Sequence, residues 1–331
     1  MKLKILSLIL GTLLAASVLS GCGGTVSETE EYAGTEQQTG TEQQTEEEQK
    51  EVYFVPTHAD IGVVSDSIYV DTLCHEWKWG RDSVYHYEDG VLCGEFVFDG
   101  NGRALKKTFH NTDDKSSYPK DCEYDENGNL LTETSPDFRD EFEYDENGKM
   151  VTHTTVRLSD GFTTGYTTYE YNEGGKLTKA SWHDSDGTVT MYIEYEYNAE
   201  GRVIKMTLSD EEYSLSTVYE YDGDGNLTRE TYYDLDGNPG GHNEYEYAEG
   251  SDLMIKKTVI ASSGSINEYT EYEYDEHGNK IIEMLHSSDG NMTETVFQWT
   301  EATEAQYNFY LSRTEYTMTM CGPETIILMV D

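Results

Sequence analysis

The amino-acid sequence predicts an all-β protein: an extended antiparallel β-hairpin repeat array, a meander twisted or curled into a partial tube. Three observations predict it. The phrase Tyr219-Glu220-Tyr221-Asp222-Gly223-Asp224-Gly225-Asn226-Leu227 returns in altered form from Phe96, Cys122, Phe142, Tyr169, Tyr195, Tyr245 and Tyr272. These starts lie about 26 residues apart, with one shorter step from Cys122 to Phe142. Turn glycines recur about every 13 residues, leaving about nine residues of strand between them. The stretches between turns alternate: from Thr188 to Tyr197 one face carries Val189, Met191, Ile193, Tyr195 and Tyr197, and the other Thr188, Thr190, Tyr192, Glu194 and Glu196.

Composition agrees with a thin β structure. Tyr (27) and Gly (30) are abundant among 331 residues while large aliphatics are scarce, which argues against a thick apolar core and for sheet faces that are both partly wet. The formal net charge is −43, with 65 acidic against 22 basic residues and no basic run. Phosphate recognition needs clustered Lys and Arg, so nucleic acid, anionic lipids and anionic wall polymers are not expected as partners. The acid keeps a repetitive β protein soluble and its edges apart.

In chain order, residues 1–21 read as a signal peptide: Lys2 and Lys4, an apolar run from Ile5 to Val18, then small residues. Leu19-Ser20-Gly21-Cys22 closes it and resembles the bacterial lipoprotein box, which implies a diacylglycerol on Cys22 and an extracytoplasmic, membrane-anchored chain. Residues 22–51 form a low-complexity acidic tether that cannot bury enough surface to fold. Gly23 stands where an inner-membrane retention Asp would, and a spacer of this kind suits a Gram-positive cell surface. Residues 52–95 are less regular and read as N-terminal cap strands.

The array proper covers 96–296. Asp125-Glu126-Asn127-Gly128 places an acceptor side chain at the head of a type I turn and a left-handed glycine at its end, the chemistry of a G1-bulge hairpin. Asp145–Gly148, Asp222–Gly225 and Asp275–Gly278 repeat it, and a second set of turns lies midway between. Phe297-Gln298-Trp299 is a last, degenerate copy opening a C-terminal cap over 297–331, whose apolar Thr325–Val330 reads as a terminal strand.

At Tyr-Asp-x-x-Gly-(Arg/Asn)-Leu, carried by Tyr124, Asp125, Gly128 and Leu130 and again by Tyr221, Asp222, Gly225 and Leu227, the array resembles the YD repeats of Rhs-type bacterial surface proteins. That resemblance implies strands winding into a shell and a surface location. It does not extend to toxin delivery, because the tail after Trp299 is too small for a toxin domain.

Candidate chemistry is sparse. Cys74 and Cys93 are candidates for a disulfide in an oxidising compartment. The absence of Cys-x-x-Cys argues against zinc. Asp222, Asp224, Asp234 and Asp236 offer oxygens at alternating positions, a weak Ca²⁺ pattern that turn chemistry also explains. No catalytic motif is present, so the expectation is a non-enzyme with no cofactor beyond this weak Ca²⁺ candidate. The candidate binding stripe is the paired tyrosines Tyr169, Tyr171, Tyr195, Tyr197, Tyr219, Tyr221, Tyr245, Tyr247, Tyr272 and Tyr274, which share one face and otherwise cover one another across strands. The function expected is a lipid-anchored binding, adhesion or structural module for a cell-wall glycan or surface protein. An immunity or scaffold lipoprotein of an Rhs-type system and a polysaccharide-active enzyme are the alternatives. Oligomeric state is not encoded in any motif.

Overall fold

The computed structural model describes residues 52–65, 68–111 and 116–321. The signal peptide, Cys22, the tether and Thr325–Val330 lie outside the described residues. The strands follow in order: β1 (Tyr53–Ser65), β2 (Ile68–Trp79), β3 (Ser83–Glu88), β4 (Val91–Phe98), β5 (Ala104–His110), β6 (Ser117–Tyr124) and β7 (Leu130–Thr134). They continue as β8 (Phe138–Tyr144), β9 (Met150–Arg157), β10 (Phe162–Tyr171), β11 (Leu177–Asp184), β12 (Val189–Tyr197), β13 (Val203–Asp210) and β14 (Ser214–Tyr221). The last are β15 (Leu227–Tyr233), β16 (Pro239–Tyr247), β17 (Met254–Ala261), β18 (Ile266–Tyr274), β19 (Lys280–Ser287) and β20 (Met292–Ala302), followed by one helix, α1 (Glu304–Cys321).

Every strand pairs antiparallel with its sequence neighbours, and β1 also pairs with β20 along Tyr53↔Ala302 to Val64↔Met292. The meander is therefore a closed 20-stranded barrel rather than a partial tube. Closure removes the unpaired edges that a cap would otherwise have to protect. The segment over residues 52–95 accordingly supplies four staves of the wall, and Phe297-Gln298-Trp299 lies inside the closing stave β20. The predicted turns form as read: Asp125, Asp145, Asp222 and Asp275 each accept the amide of the glycine three residues on, and those glycines have positive φ. A one-residue register shift accompanies each tyrosine-side turn, as at Glu196/Tyr197. Asp89-Gly90 makes the two-residue β3–β4 hairpin, both residues left-handed, the turn whose twist matches paired strands.

Burial separates the faces. On β12, Ile193 and Tyr195 are buried while Glu194 and Glu196 are exposed; β16 and β18 repeat this with Tyr245 and Tyr272 buried beside exposed Glu246 and Glu273. In a closed single chain the buried face is the interior. Its apolar part divides into two regions. One runs over β11–β14 through Leu177, Ala180, Ile193, Tyr195, Val203, Met206, Leu208 and Tyr219. The other joins β3–β6 to the helix through Val84, Phe96, Phe98, Ala104, Cys122 and Phe309. All of β9, β15 and β19 is only half-buried on both faces, so the interior is not dry throughout.

The helix was not foreseen in the sequence. Its start is a capping box: Thr303 Oγ1 accepts the Gln306 amide at 3.3 Å and Gln306 Oε1 accepts the Thr303 amide at 2.8 Å. Glu304 in the first turn complements the helix dipole. The helix docks on the tyrosine-side rim, where Gln306 Nε2 donates to Gly80 O (2.8 Å) and Phe309 stacks on Phe98 at 4.7 Å. Gly102, at φ +84°, must be glycine here, since a Cβ would stand 2.5 Å from Ala305 O and 2.6 Å from Phe309 N.

Candidate functional site

The repeated tyrosines point into the barrel, and the wall uses them itself. The first member of each pair is largely covered: Tyr195, Tyr219, Tyr245 and Tyr272 are 5–7% exposed. In most copies the second member reaches the opening carbonyl of the adjacent strand before its own. Tyr124 donates to Ala104 O (2.9 Å), Tyr144 to Leu130 O (2.9 Å), Tyr171 to Met150 O (2.8 Å), Tyr221 to Val203 O (2.7 Å) and Tyr274 to Met254 O (2.7 Å). Tyr197 makes the same bond to Leu177 O, and Trp299 substitutes an indole donor to Lys280 O at 2.8 Å. Each such bond contributes about 1 kcal/mol. Burial pushes the phenols of Tyr144 and Tyr169 up to about 12. The candidate stripe is thus tied into the wall by these bonds along one rim.

Of the weak Ca²⁺ candidates, Asp222 and Asp234 spend their carboxylates on turns. Asp222 Oδ1 accepts the amides of Asp224, Gly225 and Asn226 at 2.8–3.0 Å, and Asp234 Oδ1 those of Asp236 and Asn238. These amides, led by Asn226 and Asn238, hold both carboxyls below the usual range, and the Lys149 amide does the same for Asp145. A depressed folded pKa contributes stability that is present above the unfolded value of about 3.9 and is lost as pH falls through the folded value. The charge of −43 acts oppositely, because its self-repulsion weakens on acidification. We therefore expect Tm to rise between pH 7 and about 5 and then fall below about 4. Calorimetry across pH 7 to 2 checks this, and a Tm still rising at pH 3 would contradict it.

Inside the wall, a row of charges crosses five strands. Glu133 on β7, 1% exposed, accepts from Lys107 of β5 at 2.5 Å and Lys120 of β6 at 3.2 Å. Lys120 also lies 3.6 Å from Asp140 of β8, which accepts from Thr155 of β9 at 2.7 Å and contacts His153 at 3.3 Å. Burial opposes ionisation of Asp140, but the bonds from His153 and Thr155 and the Lys120 charge outweigh it and hold the carboxyl low. Every acid in the row is paired, so it serves as a structural network and offers no free general base.

The cysteines stand apart. Cys74 on β2 and Cys93 on β4 are free thiols with β3 between them, so the candidate disulfide is not formed; Cys122 is buried and free. Burial pushes the Cys122 thiol up to about 11. Register instead brings together donors distant in sequence. On one face of β2, Cys74 meets His58 and Asp60 of β1; on the other, His75 meets His86 and Glu88 of β3. His58, Asp60, His86 and Glu88 carried no signal in linear spacing, and the absence of Cys-x-x-Cys is silent about a set assembled across hairpins.

The outer face carries many carboxylates alongside exposed apolar side chains such as Tyr85, Val97 and Leu105. Glu194, Glu196, Glu220, Glu244, Glu246, Glu271 and Glu273 are exposed along strands whose alternate residues are buried. A lipid-facing barrel needs a continuous apolar outer band, and these carboxylates interrupt one. Among the described residues no helix is long and apolar enough to cross a membrane. At the tyrosine-side rim the β6–β7 and β8–β9 turns flank an open trough of about 810 Å³, lined by Asp125, Asn127, Asn129, Phe142, Tyr144 and Asn147 among others.

No protein-family profile matches the chain, and no curated protein does. Among solved structures it is weakly similar to the TcdB2-TccC3-Cdc42 complex, at 14% identity and TM-score 0.38 over 73% of this chain and 16% of that one. A porin-like protein from Bacteroides uniformis matches at 11% identity and TM-score 0.37, over 75% of this chain and 98% of that one. A putative outer membrane lipoprotein-sorting protein domain from Vibrio parahaemolyticus matches at 10% identity and TM-score 0.25, over 78% and 89%. The chain spans about a sixth of the length of the TcdB2-TccC3-Cdc42 chain.

Proposed function

We propose that the protein is a lipid-anchored, extracytoplasmic barrel acting as a non-catalytic binding module, and that its ligand lies in the trough between the β6–β7 and β8–β9 turns. One observation carries the reading. This trough is a concavity at the rim where aromatic side chains, Phe142 and the girdle tyrosine Tyr144, meet amides and carboxylates. Aromatic surface beside planar hydrogen-bonding groups suits a sugar polymer, whose faces are apolar and whose edges are hydroxyls. A cell-wall glycan is therefore the favoured ligand over a surface protein. The acid-rich outer wall keeps the barrel dispersed while the tether holds it off the membrane.

Retention of the purified protein on isolated cell walls tests this. Asn127→Ala with Asn147→Ala is expected to lower retention at least tenfold while leaving the melting temperature within a few degrees. Tyr197→Phe and Tyr221→Phe, which remove only girdle hydrogen bonds, should lower the melting temperature and leave retention intact. The opposite pattern would return the ligand site to the tyrosines and discard the trough.

A further inference from the structure

We propose that His58, Asp60 and Cys74 form a binding site for one divalent transition-metal ion of the zinc class on the outward face of the β1–β2 hairpin. His58 Nε2 lies 3.3 Å from Cys74 Sγ and 3.2 Å from Asp60 Oδ1, and the three donor atoms lie within 4.8 Å of one another. Metal–ligand distances of about 2.0–2.3 Å around a tetrahedral ion place neighbouring donors roughly 3.3–3.6 Å apart, which these separations match with little movement. Imidazole, thiolate and carboxylate together are the donor set of a borderline ion. The side chains of His58 and Asp60 are 29% and 43% exposed, so an ion can enter and a fourth position stays open to water.

The same geometry excludes the obvious rival, a nucleophilic Cys–His–Asp array. Such an array needs the carboxylate on one ring nitrogen and the thiol on the other, so that the acid orients the base. Here the thiol and the carboxylate converge on a single nitrogen, Nε2, which has one proton or one lone pair to offer. Convergence on one point is what a cation requires and what a proton relay cannot use. Burial, the bond to Asp60 and the nearby charges of Asp89 and Glu76 also push the Cys74 thiol up, the reverse of an activated nucleophile. Those carboxylates are an asset to a site whose ion brings two positive charges and deprotonates its thiol on binding.

The backbone holds the triad in place. Cys74 and Asp60 are direct cross-strand partners, the Cys74 amide donates to Asp89 Oδ1 at 2.8 Å, and closure of β1 onto β20 fixes the other side of the hairpin. Because consecutive residues of a strand face opposite ways, His75 belongs to the separate group with His86 and Glu88. That group contains no sulfur, and this separates the two sites experimentally.

Titration of the purified, metal-free protein with Co²⁺ as the probe reads the sulfur directly. One equivalent is expected to produce a thiolate-to-cobalt charge-transfer band in the near ultraviolet, with Zn²⁺ displacing it. Cys74→Ser should abolish the band, His58→Ala and Asp60→Asn should each weaken Co²⁺ binding at least tenfold, and His86→Ala should leave band and affinity unchanged. Circular dichroism of each apo variant confirms that the barrel is retained. A band that survives Cys74→Ser, a band lost equally on His86→Ala, or none at stoichiometric Co²⁺ in the parent protein would each overturn the proposal.

Discussion

Replacing Glu133 by alanine is expected to destabilise the barrel by about 3–5 kcal/mol, on the order of a 10 °C fall in Tm. Glu133 is 1% exposed and sits between Lys107 at 2.5 Å and Lys120 at 3.2 Å. Removing it takes from the ammonium of Lys107, itself only 8% exposed, the carboxylate that lies 2.5 Å away. Lys120 fares better, because Asp140 lies 3.6 Å away and keeps it paired. The cost therefore falls on one lysine, and that gives the prediction a second arm. Lys107→Met with Glu133→Leu removes both members of the tight pair and leaves Lys120–Asp140 standing. It should recover most of the loss, as apolar replacements of buried ion pairs often do. Chemical denaturation of the two single variants and the double closes the cycle. A Glu133→Ala cost below about 1 kcal/mol would mean that water inside the barrel solvates Lys107, and the row would then be decoration.

Much of this wall was legible in the sequence, for a physical reason. Turn chemistry is local: Asp125 and Gly128 lie three residues apart and make their bond within one turn, so the period was visible without knowing the partners. Strand alternation is equally local, which is why Tyr195 and Tyr197 were rightly placed on one side. Which side that was depended on closure. Closure is the pairing of Tyr53 through Val64 with Met292 through Ala302, strands separated by nearly the whole chain, and no local pattern encodes it. Without that seam a girdle of inward tyrosines and an exposed aromatic stripe are the same sequence. The His58–Asp60–Cys74 group was hidden for the same reason, since cross-strand register assembles it. The helix is a different case. Thr303 and Gln306 spell a capping box in the sequence, but the segment after it lacks the apolar periodicity that normally announces a helix.

That helix leads to the other large expected effect. Phe309→Ala should destabilise the barrel by about 3–5 kcal/mol, the usual cost of removing a fully buried phenylalanine. Phe309 is 1% exposed and meets three rings from the wall: Phe98 at 4.7 Å, Phe96 at 5.8 Å and Trp79 at 6.4 Å. Trp79 ends β2 and its indole donates to Pro56 O of β1 at 2.7 Å, beside the seam. Tyr307 packs on Tyr53 at 5.1 Å and Tyr310 edges Trp299 at 6.1 Å, so the helix touches both strands of the closing pair. A helix with so little amphipathic character has few reasons of its own to form, and its stability comes from this docking. The wall depends on it in turn, because Phe309 packs with Val84, Phe96, Phe98 and Ala104 in one buried cluster. Hydrogen exchange distinguishes the two dependencies. In Phe309→Ala the amides of Gln306–Phe309 and those of the β1–β20 seam should lose protection together, while β11–β14, with their own apolar cluster, should keep theirs. Loss confined to the helix would show that the ring closes by backbone pairing alone and that α1 is an ornament on a barrel stable without it.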